Sequence, residues 1–133
     1  NGEDLQIINK LGTLQALADL KKRGDIRAFG MSTKTVQGGL AAAGQSDVVM
    51  LTYNLAQREE VAILDECARL GRGALIKKAL ASGHLEQGAA DPVQASMDLI
   101  FAHAASTSAI IGTISPAHLA ANVRAARQAL GLD

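Results

Sequence analysis

The chain has 133 residues, is 48% hydrophobic but only 2% aromatic, and balances thirteen Lys and Arg against thirteen Asp and Glu. That is the size of one ordinary domain, with a core to be built from Ala, Leu, Ile and Val. A formal charge of zero gives no basic field for nucleic acid or an anionic membrane surface, so neither is expected as a partner.

The opening "NGEDLQIINK" has no Met and shows no clear element, so the chain reads as a fragment. These residues are polar and mixed, unlike a signal peptide. No later stretch approaches the roughly 20 uninterrupted apolar residues of a membrane span. The lone Cys67 excludes an internal disulfide, and a cytoplasmic location is expected.

Residues 12–23, "GTLQALADLKKR", place Leu14, Leu17, Ala18 and Leu20 at helical spacing, with Gly24 as the stop. "IRAFGM" at 26–31 predicts a strand. A weaker helix follows over 35–43, where Gly38 and Gly39 each cost about 1 kcal/mol against Ala. "DVVMLTY" at 47–53 is a second, Val-rich strand, and 58–70 an amphipathic helix ended by Gly71. The third strand is 73–77. A loop over 81–90 then leads to Asp91-Pro92, a cap followed by proline at the first helical position, and a helix to about His103. "SAIIGT" at 108–113 is the fourth strand, and Ser115-Pro116 repeats the cap signal before a last helix that ends ahead of Gly131.

This alternation predicts an α/β fold of four parallel β-α units, one partial domain over 1–133. Its strands are apolar on both faces, as when helices cover a parallel sheet. A (β/α)₈ barrel needs eight strands, so four make a small open sheet or half a barrel. Half a barrel would expose two edges and an apolar concave face, which invites a homodimer.

Ligands of parallel α/β sheets bind beyond the carboxyl ends of the strands. Those ends carry Ser32-Thr33-Lys34, Tyr53-Asn54, Lys77-Lys78 with Ser82, and Gly112-Thr113 with Ser115. Two adjacent lysines after a buried run need a partner or water, because burying an ammonium costs several kcal/mol. Three readings stand: a rim lysine reaching solvent, a lysine on a phosphate, or a Schiff-base lysine of aldolase type. The helix start at "GTISPAHLAANV" could hold an anion or simply be capped. His84, His103 and His118 lack metal-ligand spacing, and no metal site is expected.

In order, "LADLKKRGDIRAFGMST", "DVVMLTYNLAQREE", "ALIKKALASGHL" and "AIIGTISPAHLAANV" resemble the carboxyl-terminal half of an aldo-keto reductase over nearly the whole chain. The resemblance implies strands five to eight of a TIM-type (β/α)₈ barrel that reduces aldehydes or ketones with NADPH, NADH not excluded. Its catalytic tyrosine, lysine, aspartate and histidine would lie upstream, so no catalytic residue is expected here and the isolated chain is expected to be inactive. "NGEDL" resembles the loop after the fourth strand.

What remains, by resemblance, is the cofactor half. Ser32 matches the carboxamide-binding serine and Thr33 the place of an asparagine, while Met50 replaces a glutamine. Lys77 takes the place of the tyrosine that stacks under the nicotinamide, and Lys78 that of a serine. Leu80 and Ser82 match the pyrophosphate lining. Gly112, Thr113, Ser115 and His118 fall where the adenosine ribose or its 2′-phosphate is gripped, and Asn122 matches the adenine-contacting asparagine. Lost stacking costs about 0.5–1.5 kcal/mol and a charge-assisted bond returns about 1.5–3, so the expected partner of the lysines is the diphosphate. A non-catalytic, self-associating half-barrel is the alternative, and an aldolase-type lyase a third.

Overall fold

The computed structural model describes residues 3–81 and 91–132. Its elements are α1 (Glu3–Asn9), α2 (Thr13–Arg23), β1 (Gly30–Ser32), α3 (Val36–Gln45), β2 (Val48–Thr52), α4 (Val61–Leu70), β3 (Gly73–Lys77), α5 (Pro92–Phe101), β4 (Ser106–Ala109) and α6 (Pro116–Ala129). The strands form one sheet in the order β1-β2-β3-β4, every neighbouring pair parallel. The expected parallel β-α alternation is therefore present. Among the described residues no helix is long and apolar enough to cross a membrane.

The stop and start signals act as their chemistry dictates. α2 and α4 end on Gly24 and Gly71, both left-handed, at φ 83° and 63°. The Asp91 carboxylate accepts from the Val93 and Gln94 amides, and Ser115 Oγ from the His118 amide, each ahead of a proline. Thr35 caps α3 by accepting from Gly38 N.

The opening and two strands differ most from the sequence reading, and α4 starts at Val61 rather than at 58. The opening residues form α1, whose short polar pattern gave no clear periodicity. β1 starts at Gly30 rather than Ile26, because its partner β2 begins only at Val48, the residue paired with Gly30. β4 covers Ser106–Ala109 rather than 108–113. Lys78 turns left-handed (φ 55°) just past β3, so after the Ile110 N–H···O=C Ile76 bond (2.8 Å) residues 111–113 have no strand to pair with.

The sheet has two unlike faces. Val49, Leu51, Ala74 and Ile76 are fully buried beneath the helices, against Ala42 and Ala43 of α3, Ile63, Leu64 and Cys67 of α4, and Ile100 of α5. Each fully buried Leu or Ile stabilises the fold by about 1.5–3 kcal/mol. The alternate residues, Val48, Met50, Gly73, Leu75 and Lys77, are only half-buried. The expectation of two covered apolar faces is thus corrected: helices cover one face, and β4 is largely polar.

Close backbone packing sets α3 against its neighbours. A Cβ on Gly39 would overlap the Ile63 side chain, and one on Gly38 would overlap Asp4. The two glycines that weaken the helix are what let α4 and α1 approach it.

Candidate functional site

The carboxyl ends of all four strands open on one rim. β3 delivers Lys77 there, in register with Thr52 of β2. Its Nζ reaches past β2 to donate to Ser32 Oγ (3.0 Å) and to the Thr33 carbonyl oxygen (2.6 Å). Lys77 therefore lies along the rim rather than in the core, half-buried, with neutral acceptors. Lys78 is exposed. Its left-handed backbone costs about 1–3 kcal/mol in a non-glycine residue and persists only where surroundings enforce it. Here Asn54 Nδ2 holds the Lys78 carbonyl oxygen at 3.0 Å.

Asn54 is fully buried. Its Oδ1 accepts from the amides of Ala56 (3.0 Å) and Gln57 (2.9 Å), so one side chain closes the turn after β2 and anchors the turn after β3. Asp4, from α1, does the same for the loop after β1. Its Oδ2 accepts from Lys34 N (2.8 Å), Thr35 N (3.0 Å) and Thr35 Oγ1 (3.0 Å). The sequence places Asn54 at a strand end but does not reveal its anchoring role, since it carries only the signal of a turn-forming residue, and Asp4 carries none, its partners lying some thirty positions away.

Two hollows flank Lys78. The larger, about 660 Å³, is lined by Lys78, Leu80, Gly112, Thr113, His118 and Asn122 together with Val93 and Ile110. Six of the candidate residues are thus gathered from the exits of β3 and β4 and the first turns of α6. Asn122 is buried there, while Gly112, Thr113 and His118 are exposed. Ser115 spends its hydroxyl as the α6 cap at 3.3 Å from His118 N, and Thr113 Oγ1 accepts from Ser115 N (3.1 Å). The start of this 14-residue helix gives the hollow a positive electrostatic end.

The second hollow, about 530 Å³, is bordered by Thr33, Lys34, Thr52, Glu59, Glu60, Lys77 and Lys78. Glu60 Oε2 accepts from Thr52 N (2.8 Å). Thr33 is fully buried, and its Oγ1 has no hydrogen-bond partner. A buried hydroxyl left unpaired costs about 1–3 kcal/mol, so the turn after β1 carries a local destabilisation. Ser82 and His84 lie outside the described residues.

At the opposite end of the sheet a third hollow is lined by Lys21, Lys22, Phe29, Asp47 and Arg72. The Asp47 carboxylate accepts from Lys21 Nζ and from Phe29 N (3.1 Å) and lies 3.9 Å from Arg72. The Lys21 bond holds its carboxyl below the usual carboxylate range, helped by the Phe29 amide and by both cations. Asp47 ties α2 and the strand starts together, at the end of the sheet opposite the candidate rim.

Comparison with known proteins fits this geometry. No protein-family model and no curated protein matches the chain. Two solved structures of Pseudomonas aeruginosa proteins assigned as aldo-keto reductases do, at 45% and 46% identity, each with a TM-score of 0.87 over 98% of this chain. The chain spans 49% and 48% of their lengths. An aldo-keto reductase of Bacillus halodurans in its holo form is 18% identical, with a TM-score of 0.74 over 86% of this chain and 49% of its own, and so supports the fold alone. The four parallel β-α units correspond to half of such a (β/α)₈ barrel.

Proposed function

This chain belongs to the aldo-keto reductase family, and from that premise we propose that it is the dinucleotide-binding half of an NAD(P)H-dependent carbonyl reductase. The observation that carries this reading is the meeting of Lys78, Leu80, Gly112, Thr113, His118 and Asn122 around one hollow beside the start of α6. That hollow would take the adenosine end, with the exposed Lys78 and the helix terminus facing phosphate. The nicotinamide end would lie at Ser32, Thr33 and Lys77, where the exposed Ser32 hydroxyl can bond a carboxamide. The bound dinucleotide supplies the hydride; the residues here seat and orient it.

NADPH is the favoured cofactor, since His118 and Lys78 both face the hollow in which a 2′-phosphate would sit. Aldehydes or ketones would be the substrates. The proton donor and its supporting lysine, aspartate and histidine would come from residues that this chain does not span, and general acid catalysis of that kind is worth roughly 10²–10⁴-fold. The same reading places the protein in the cytoplasm, where a buried single thiol such as Cys67 stays reduced.

The test is titration of protein made from the complete coding sequence with NADPH, followed by fluorescence. Micromolar or tighter binding that weakens at least tenfold in Asn122→Ala or His118→Ala supports the reading. Absence of binding by the unaltered protein overturns it.

A further inference from the structure

We propose that Lys77 makes the site discriminate between the two redox states of its dinucleotide, holding the reduced, uncharged ring more tightly than the oxidised, cationic one. This rests on the nicotinamide seat proposed above and adds what the charge at that seat does. The Lys77 ammonium sits at the rim on two neutral acceptors, Ser32 Oγ and the Thr33 carbonyl oxygen. Among the described residues it forms no ion pair. Glu59 and Glu60 border the same hollow as Lys34, Lys77 and Lys78, so its cations outnumber its acids three to two, and the Glu60 carboxylate accepts from the Thr52 amide. The other ammonium close to the β1 exit, on Lys34, is exposed and lies 3.9 Å from Glu3. Lys77 is therefore a half-buried positive charge whose direct partners are all neutral, only partly screened by water.

A carboxamide that bonds Ser32 brings its ring beside that charge, because Ser32 Oγ is itself one of the two acceptors of Lys77 Nζ. A neutral dihydropyridine ring feels little from the ammonium. A pyridinium cation is repelled, and at the few ångströms set by a shared hydroxyl this amounts to about tenfold in affinity after solvent screening. Phosphates, riboses and adenine are the same in both states, so the ratio of the two dissociation constants isolates the ring charge. The consequence lies in exchange: oxidised cofactor is released readily and reduced cofactor is retained.

The experiment measures Kd for NADPH and NADP⁺ on protein from the complete coding sequence, for the unaltered chain, Lys77→Gln and Lys77→Arg. Glutamine can still donate to Ser32 and Thr33 but carries no charge. The expected NADP⁺/NADPH ratio is about ten in the unaltered protein, near one in Lys77→Gln, and about ten again in Lys77→Arg. An unchanged ratio in Lys77→Gln overturns this inference while leaving the cofactor site standing. Failure of the unaltered protein to bind either state overturns the site reading, and the inference with it. Should Lys77→Gln not fold, the unaltered protein is titrated from about 50 mM to about 500 mM salt. A contracting ratio then supports the charge effect, and a constant one overturns it.

Discussion

The Asp4 carboxylate occupies the space that a side chain on Gly38 would need. From there its Oδ2 gathers the Lys34 and Thr35 amides and the Thr35 hydroxyl, fixing the loop that leaves β1 with Ser32 and Thr33. Gly38→Ala should cost about 1–3 kcal/mol by overpacking, although alanine is the better helix former. Asp4→Ala should cost about 1–3 kcal/mol by leaving those donors unpaired. Urea denaturation checks both. A stabilised Gly38→Ala would show that helix propensity, not the Asp4 contact, governs the position.

Acid should weaken the fold through Asp47. Its carboxyl is lowered, chiefly by the Lys21 hydrogen bond and further by the Phe29 amide. A depressed folded-state pKa contributes stability that is present above the unfolded value, about 3.9, and is lost as pH falls through the folded value. Stability should therefore decline below about pH 4–5, and Asp47→Asn should flatten that limb while lowering stability at pH 7. Denaturant midpoints across pH 3–7 measure the slope; identical slopes in the two proteins would remove Asp47 as the cause.

Cys67 should be chemically silent in the folded chain. It is fully buried in α4 among Ile63, Leu64 and the β2–β3 core, and burial pushes its thiol pKa up. A raised thiol pKa contributes stability present below the unfolded value and lost as pH rises through the folded value, so nothing is lost near neutrality. Thiol reagents at pH 7–8 should label it only at the rate at which the fold opens. Labelling in seconds without denaturant would mean that α4 is not packed as described.

What the sequence made legible is what local chemistry decides. Ser115-Pro116, Asp91-Pro92, Gly24 and Gly71 announce their helix ends because caps and left-handed turns act within three or four residues. The alternation of elements was enough to predict parallel pairing, and the four matched segments to predict the family. β1 and β4 shifted because a strand's limits depend on a partner's length, as Gly30 depends on Val48. Resemblance alone singled out Lys78, Leu80, Gly112, Thr113, His118 and Asn122, and the fold brings these six around one hollow. Asp4, Asn54 and the Lys77–Ser32 bond, spanning 45 positions, were not, since nothing local marks a side chain whose partner is remote. The buried but unpartnered Thr33 Oγ1 likewise has no signature until the fold surrounds it.

The 133 residues alone should associate and should not reduce carbonyls. The half-buried inner face of the sheet carries Val48, Met50 and Leu75, and α6 exposes Leu119 and Val123, one turn apart, close to a fully exposed Ile114. In matched structures about twice as long further chain is available to cover such surfaces; alone, they gain roughly 25 cal/mol for each Å² they bury against another copy. Sedimentation should give a mass above that of one chain, and the melting temperature should rise with protein concentration. Leu119→Lys combined with Val123→Lys should shift the mass toward the monomer, because the exposed half of each side chain, 53% and 49%, is association surface that lysine replaces with charge. NADPH consumption with an aldehyde panel should stay at background, since on the function proposed above these residues would seat the dinucleotide while the proton donor lies elsewhere in the protein. A monomer with a sharp, concentration-independent melt would show that the open face is stable uncovered, and measurable turnover would place a proton donor within these residues.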